Sequence, residues 1–211
     1  MKEKKDEIEK IKKFRRRFYN THATDYDDMA HDDDFLEEFE GFIKLVKVKA
    51  GQVVLDIATG TGRYLIQMAK SGALCYGIDQ SPKMLKHLSY KIKKESIKRN
   101  IKKISVGAAD SLPYTNHFFD WITCIGMFEY YPLEYVKIVL SEIARVIKQN
   151  GYIFIDIADP FKIYAQERDW IFSYDLEKFK TTVGAIGLKI ETCNSAGYML
   201  QYLLSKKSLK C

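Results

Sequence analysis

Cysteine is scarce in this chain of 211 residues: it has four, at positions 75, 124, 193 and 211, and none of them forms a C-x-x-C pair. Cys75 and Cys124 fall within predicted strands, where a buried thiol packs as a small hydrophobic side chain. A disulfide framework is therefore not indicated, and we expect a reduced, cytoplasmic protein.

Long apolar runs are also lacking, and no stretch is long enough to span a bilayer. The opening residues, Met1–Asp6, have no apolar centre and predict no secretory signal. Hydrophobic residues nonetheless make up 46% of the chain, which is ordinary for a globular protein. The length allows one full core, and we expect a small helical cap at residues 1–48 on a main domain at residues 49–211.

Charge of one sign does not dominate the sequence. The net charge is +6, with basic stretches at Lys2–Arg17 and Lys91–Lys103 and an acidic stretch at Asp25–Glu40 between them. We interpret these stretches as solvated helix faces. A nucleic-acid partner is disfavoured, because it needs one continuous basic face. The run Asp32–Asp34 lacks the alternating oxygen ligands of a calcium loop, so we expect no metal there and a helix start instead.

Hydrophobic periodicity predicts alternating strands and helices. The predicted strands cover residues 52–57, 74–79, 102–107, 119–126, 151–158, 188–193 and 198–204, and the predicted helices cover 3–19, 33–47, 61–71, 82–99, 133–148 and 175–186. Strand-helix alternation predicts an α/β fold with a doubly wound parallel sheet, and the last two strands resemble a closing antiparallel pair.

The most informative segment is the run from Val53 to Tyr64. Val53–Ile57 reads as a short buried strand of a parallel sheet. Gly60 and Gly62 then form a tight loop where the backbone can approach a ligand closely, because neither residue has a Cβ. Helical spacing follows, and a strand, a glycine turn and a helix N-terminus together predict a binding mouth.

Two acids accompany this loop, Asp56 in the first strand and Asp79 at the end of the second. An acid at the tip of the second strand can accept hydrogen bonds from a ribose diol. Dinucleotide enzymes share that geometry, but their G-x-G-x-x-G pattern fails here because Leu65 occupies the third glycine position. Asp56 would repel a pyrophosphate and suits an ammonium or sulfonium group. The sequence therefore predicts a cationic nucleoside as the ligand.

These residues resemble the class I S-adenosylmethionine-dependent methyltransferases, in the small-molecule group that contains type 11 and ubiquinone- or menaquinone-biosynthesis enzymes. The likeness covers about Lys49 to Asp159, where Asp56-x-Ala58-x-Gly60-x-Gly62 matches the glycine loop and Gln80-Ser81-Pro82-x-Met84 the continuation after the ribose acid. The resemblance implies a seven-stranded, mainly parallel sheet in the order 3-2-1-4-5-7-6 with an N-terminal helical cap. It also implies S-adenosylmethionine as the cofactor.

The resemblance implies a set of cofactor-binding residues along this stretch. They are Asp56, Ala58, Thr59, Gly60, Thr61, Gly62, Asp79, Gln80, Met84, Ala109, Asp110 and Ile125, with Tyr26 as the aromatic residue placed over the cofactor. Family members often have an acid where this chain has Ala108, and Asp110 is expected to take over the contact to the adenine amino group.

The acceptor side is less defined by the sequence. Tyr130 and Tyr131 are expected to line the acceptor pocket, with Tyr19 as a further candidate, because phenol rings offer apolar area and a polar tip. Core packing is the competing interpretation of all three. Methyl transfer needs no catalytic triad, and none is visible; Glu129 is a candidate base, while His117 is better interpreted as a solvent-facing turn residue.

The segment 160–174 is aromatic and is expected to cover a small organic acceptor. The run Gly126–Pro132 does not match the Asn/Asp-Pro-Pro-aromatic motif of relatives that methylate base amines, which further disfavours nucleic acid. Two alternatives stay open: a non-catalytic S-adenosylmethionine-binding partner subunit, favoured a little by Ala108, and a nicotinamide-dependent oxidoreductase, which Leu65 disfavours. The methylated atom and the oligomeric state are not predicted.

Overall fold

The structure, a computed structural model, describes residues 2–29, 33–162 and 170–207. Its helices are α1 (Lys2–Thr21), α2 (Tyr26–Met29), α3 (Asp33–Leu45), α4 (Arg63–Lys70), α5 (Pro82–Lys94), α6 (Leu133–Val146) and α7 (Leu176–Ala185). Its strands are β1 (Val53–Ile57), β2 (Leu74–Asp79), β3 (Ile101–Val106), β4 (Phe119–Cys124), β5 (Ile147–Ala158), β6 (Leu188–Ala196) and β7 (Met199–Lys206).

The strands form one seven-stranded sheet in the order β3-β2-β1-β4-β5-β7-β6. The first five strands pair in parallel, and β7 runs antiparallel to both β5 and β6. The predicted fold class and strand order are thereby confirmed. Because the parallel strands end at one edge of the sheet, the loops after β1, β2 and β4 converge there.

Helices cover both faces of the sheet and give it two apolar layers. On one face α6 and α7 pack with residues such as Leu55 and Ile153, and on the other α3, α4 and α5 pack with Val54 and Phe154. One face of α6 belongs to this core, since Val136, Val139, Leu140, Ile143 and Val146 are all fully buried. A sheet buried on both faces explains why its strands read as continuous apolar runs.

The predicted boundary between the sixth helix and the fifth strand is wrong. The sequence predicts a helix over 133–148 and a strand over 151–158, yet α6 ends at Val146 and β5 begins at Ile147. Ile147 already pairs with Phe119, and the register shifts before Trp121 pairs with Tyr152. A Cβ on Gly151 would lie 2.7 Å from the Ile147 side chain, so this glycine serves a strand irregularity rather than a helix end.

The helix that follows β2 begins with a side-chain cap. Ser81 Oγ accepts a hydrogen bond from Met84 N–H at 3.2 Å and donates one to Asn20 Oδ1 at 2.8 Å, and Pro82 occupies the first turn. The Ser81 hydroxyl thus fixes the start of α5 and ties it to α1.

We expect Ser81→Ala to lower the free energy of unfolding by about 1 kcal/mol, because the first turn of α5 loses its cap. Urea unfolding measures the change. Ser141→Ala is the matched control, since this exposed serine only donates to the Lys137 carbonyl within α6. The control should stay within about 0.5 kcal/mol of the parent. Equal losses in both variants would contradict the capping role.

Candidate functional site

A crevice lies at the edge of the sheet where β1, β2 and β4 end. It consists of two cavities, which we call the first cavity (about 70 Å³) and the second cavity (about 330 Å³). Both cavities are lined by Tyr19, Tyr26, Ala58, Gly60, Ile125, Gly126 and Tyr130. The first extends toward β2 and the loop after β3, and the second toward α3 and β7. Because they share these walls, the two cavities are parts of one crevice.

The glycine loop after β1 presents its backbone to this crevice. Ala58, Gly60 and Gly62 have φ values of +55°, +52° and +87°, in the left-handed region that glycine adopts most easily. A Cβ on Gly60 would find no protein atom closer than 3.9 Å, whereas a Cβ on Gly62 would lie 2.3 Å from Leu88 Cδ1. Gly60 therefore leaves open space at the crevice, and Gly62 allows α4 to start close against α5.

Asp79 lines the first cavity at the end of β2. Its Oδ2 accepts a hydrogen bond from Gly60 N–H at 2.9 Å, and its Oδ1 accepts one from Ser81 N–H at 2.7 Å. Burial raises the pKa of Asp79, while these N–H donors act in the opposite direction. Each carboxylate oxygen has a second lone pair, so Asp79 can hold the loop and still accept from a ligand.

Asp56 lies beneath the glycine loop and is 2% exposed. Thr59 Oγ1 donates to one carboxyl oxygen at 2.7 Å, and Thr123 Oγ1 donates to the other at 2.6 Å. Burial raises the pKa of Asp56 to about 6 despite these two hydrogen bonds. The carboxyl group thus supports the loop from below, between β1 and β4, and does not belong to the described cavity walls.

Most of the predicted cofactor residues line the crevice. The first cavity holds Ala58, Gly60, Asp79, Gln80, Met84, Ala109, Ile125 and Tyr26, and the second adds Thr59 and Thr61. Three predicted residues, Asp56, Gly62 and Asp110, lie outside the described linings. Asp110 instead forms an ion pair with Lys12 of α1 at 2.9 Å, while Ala108 lines the first cavity.

Aromatic side chains from α1 and α2 form the outer wall. The Tyr19 and Tyr26 rings meet edge to face at 5.9 Å between centroids, and both residues line both cavities. Arg15 of α1 lies over the Tyr130 ring, with 3.8 Å from Cζ to the ring centroid. Tyr131 lines only the first cavity. Tyr19, Tyr130 and Tyr131 thus lie beside the crevice, and their predicted role in the acceptor pocket stays a prediction.

Glu129 lines the second cavity and is 2% exposed. It lies in a short 3₁₀ turn, Phe128–Tyr130, immediately after β4. Its Oε2 is buried without a hydrogen-bond partner among the described residues. Burial raises the pKa of Glu129 to about 7, while the Arg15 guanidinium acts to lower it. A carboxyl group of this kind can exchange a proton near neutral pH.

Asp156 of β5 lies close to Glu129 and is fully buried. Its Oδ1 accepts a hydrogen bond from Gly126 N–H at 2.9 Å, and its Oδ2 has no partner among the residues that the structure describes. Burial, with the nearby Glu129 carboxyl, raises the pKa of Asp156 well above its usual range. The pair thus tends to retain a proton.

Sequence reasoning missed four charged residues of the site: Arg15, Glu38, Arg63 and Asp156. Arg15 lines the first cavity, Glu38 and Arg63 line the second, and Asp156 lies behind Glu129. Arg63 directly follows the glycine loop, so its position in the sequence could have predicted a place at the site. The other three come from α1, α3 and β5, whose approach to the crevice depends on tertiary packing.

Two further expectations concern residues away from the cavity walls. His117 lies in an exposed turn before β4, with its Nδ1 3.2 Å from the Ile147 carbonyl oxygen, at the opposite edge of the sheet. It is therefore not part of the crevice. Of the predicted covering segment 160–174, Ile163 and Tyr164 lie outside the described residues. Tyr174 Oη donates to the carbonyls of Phe128 and Tyr131, so this described part braces the turn that carries Glu129.

Within the described ranges 2–29, 33–162 and 170–207, no cluster of three His, Cys, Asp or Glu side chains is arranged to hold a metal ion. Across the same residues, no helix is both long enough and apolar enough to cross a membrane.

Residues 55–155 match the family model described as a methyltransferase domain. A demethylmenaquinone methyltransferase from Lactobacillus johnsonii is 39% identical over 118 residues, which is 54% of this chain and 47% of that protein. A ubiquinone biosynthesis O-methyltransferase from Nitrosospira multiformis is 36% identical over 115 residues, 54% of this chain and 46% of that protein. The chain thus matches about half the length of these relatives.

The fold is similar to that of magnesium protoporphyrin IX methyltransferase from Synechocystis, whose crystal structure contains S-adenosylmethionine. The TM-score is 0.76 at 18% identity, covering 94% of this chain and 97% of the other. At this identity the similarity concerns the fold, and it extends over both the N-terminal helices and the sheet.

Proposed function

We propose that this chain is a class I S-adenosylmethionine-dependent methyltransferase, in line with the methyltransferase domain that residues 55–155 match, and that it transfers the methyl group of S-adenosylmethionine to a small organic acceptor. The observation that carries this proposal is the crevice itself, where the backbone of Gly60 is hydrogen-bonded to the carboxylate of Asp79. The glycine turn and the acid at the end of the second strand meet there, as a nucleoside site requires.

In the proposed complex the nucleoside of the donor would lie in the first cavity. Asp79 would accept hydrogen bonds from the ribose hydroxyls, and the apolar side chains of Ile78, Met84 and Met127 would pack against the adenine ring. The methionine part would follow the loop Thr59–Thr61 into the second cavity. Arg63, on the same wall, offers a positive charge for the donor carboxylate.

Methyl transfer is an in-line displacement at the methyl carbon. The acceptor forms a bond to that carbon while the carbon–sulfur bond breaks, and the donor leaves as a neutral thioether. In such a reaction the protein contributes mainly alignment of the two reactants and exclusion of water. The aromatic wall of Tyr19, Tyr26 and Tyr130 would supply that exclusion, since these residues line both cavities.

Glu129 lines the second cavity and would lie close to an acceptor that must lose a proton. Its buried oxygen and its pKa of about 7 suit a general base near neutral pH.

A cytoplasmic location and the division into a cap at residues 1–48 and a main domain at 49–211 stay predictions.

A non-catalytic S-adenosylmethionine-binding partner subunit is the second candidate. One observation favours it: Asp110, the expected substitute for the adenine-binding acid, is paired with Lys12 and lies away from the described cavity wall. A nicotinamide-dependent oxidoreductase is less well supported. Leu65, at the third glycine position of the dinucleotide pattern, lies on the buried face of α4 and is fully buried in the core.

Calorimetry of the whole protein with S-adenosylmethionine, S-adenosylhomocysteine and reduced nicotinamide dinucleotide tests the proposal. We expect both sulfur compounds to bind at one site per chain, with no measurable heat from the nicotinamide. Tighter binding of the nicotinamide would reject the proposed function. Donor binding without methyl transfer to amines, phenols or hydroxy acids would favour the partner subunit.

A further inference from the structure

Carboxyl groups occur at the same edge of four adjacent strands, and they divide into two kinds. Asp79 of β2 and Asp56 of β1 each receive hydrogen bonds on both oxygens from nearby N–H or O–H groups. Glu129 after β4 and Asp156 of β5 each keep one buried oxygen that has no partner among the described residues. Both oxygens of each carboxyl in the first pair therefore have hydrogen-bond donors, whereas in the second pair Glu129 Oε2 and Asp156 Oδ2 have none among the described residues.

The sheet order places the second pair on the acceptor side. The glycine loop and Asp79 belong to β1 and β2, which would hold the donor, while Glu129 and Asp156 belong to β4 and β5. Along the sheet from β2 to β5, Glu129 and Asp156 therefore lie beyond the loop that would bind the methyl donor. Within the second cavity the methionine part of the donor would lie along Thr59–Thr61, and a methyl acceptor would approach from the side of Glu129.

The second cavity also has walls that favour a cation. Its lining includes the carboxyls Glu38 and Glu129 and seven aromatic rings: Phe18, Tyr19, Tyr26, Phe35, Tyr64, Tyr130 and Tyr198. Aromatic faces attract positive charge, and two arginines already use such faces nearby: Arg15 over Tyr130 and Arg63 over Phe35. Arg63 is the single cation among the described lining residues of this cavity.

We propose that the methyl acceptor of this protein is a small organic amine, which enters the second cavity as an ammonium ion and donates N–H to the free carboxyl oxygen of Glu129. The proposal rests on the proposed methyltransferase function and specifies its substrate class. An ammonium at Glu129 supplies the donor that Oε2 lacks, and its positive charge offsets the repulsion between Glu129 and the Asp156 carboxyl behind it.

The reaction balances with these groups alone. The Glu129 carboxylate takes one proton from the ammonium and becomes a carboxylic acid, which leaves a neutral amine with a free lone pair. That lone pair forms the nitrogen–carbon bond as the carbon–sulfur bond breaks. The electron pair of the carbon–sulfur bond stays on sulfur. The products are the methylated ammonium and a neutral thioether. The pKa of Glu129, about 7, is compatible with this proton transfer near neutral pH.

The test compares two probes of equal shape, 2-phenylethylamine and 2-phenylethanol, by calorimetry at pH 7.5 with saturating S-adenosylhomocysteine. We expect the amine to bind at least tenfold more tightly than the alcohol. Glu129→Gln should remove that preference by weakening amine binding about tenfold without changing alcohol binding. Glu177→Gln, which alters an exposed glutamate paired with Lys180, should keep the parent's preference.

The parent protein alone decides the question if Glu129→Gln fails to fold, because equal affinities for the two probes would overturn the amine proposal. A tenfold loss of S-adenosylhomocysteine affinity in a folded Glu129→Gln, with the amine preference kept, would also overturn it by assigning the carboxyl to the donor. Failure of the parent to bind S-adenosylhomocysteine would instead reject the proposed function. The two failures are thus distinguishable.

Discussion

Asp79→Ala should weaken S-adenosylmethionine binding at least 100-fold while the sheet stays folded. In the proposed complex the carboxylate accepts from the ribose hydroxyls, in addition to the N–H groups of Gly60 and Ser81. Each hydrogen bond to a charged group contributes about 1.5–3 kcal/mol, so losing two of them to the ribose exceeds a hundredfold in affinity. Calorimetry measures the loss, and circular dichroism checks the fold.

Asp120→Ala is the matched control. Asp120 also accepts a backbone N–H, that of Val53 at 2.8 Å, and forms an ion pair with Lys148 at 2.7 Å, but it lies at the opposite edge of the sheet. Its loss should reduce stability and change donor affinity less than threefold. If both variants lost affinity equally, the effect of Asp79 would come from general destabilisation and the ribose would be held elsewhere.

The sheet could be predicted from sequence because its information is local. Each parallel strand is a short apolar run, and each following helix has its own stripe, as α6 shows. The strand order came from family resemblance, since periodicity does not specify which strands are neighbours. The start of β5 was missed because Gly151 marks a change of register with β4, and such a change depends on the partner strand.

The candidate site likewise has residues that the local sequence predicts and residues whose positions depend on tertiary contacts. Asp79 ends β2, and Gly60 and Met84 follow a strand end within five residues; all three line the first cavity. Asp56 lies one residue before the end of β1, and Thr123 of the neighbouring strand donates to one of its oxygens. The loop after β3 led to Asp110, which an ion pair with Lys12 of α1 draws away. These outcomes depend on tertiary contacts that no local pattern contains.

The pH dependence of the free energy of unfolding tests whether Glu129 is protonated in the folded protein, and this test needs no substrate. Burial raises the pKa of Glu129 from 4.5 to about 7, so the folded protein holds the proton more tightly than the unfolded chain. The stabilisation from this protonated group is complete below pH 4.5 and is lost as the pH rises through 7. A glutamine at this position cannot ionise and avoids the loss.

Glu129→Gln should therefore make the ligand-free protein more stable than the parent at pH 8, by about 3 kcal/mol, and change it much less at pH 5. The sign is unusual, because most substitutions of buried residues destabilise a protein. Urea unfolding at the two pH values measures it, with Glu177→Gln as an exposed control that should follow the parent. Burial also raises the pKa values of Asp56 and Asp156, and the Glu129 carboxyl contributes to the rise at Asp156. The substitution removes the repulsion between Glu129 and Asp156, which changes the stability at pH 8 in the same direction. If the variant lost stability between pH 5 and 8 as steeply as the parent, Glu129 would be ionised in the folded protein with its charge already stabilised by neighbouring groups. An ammonium acceptor would then gain little by binding there.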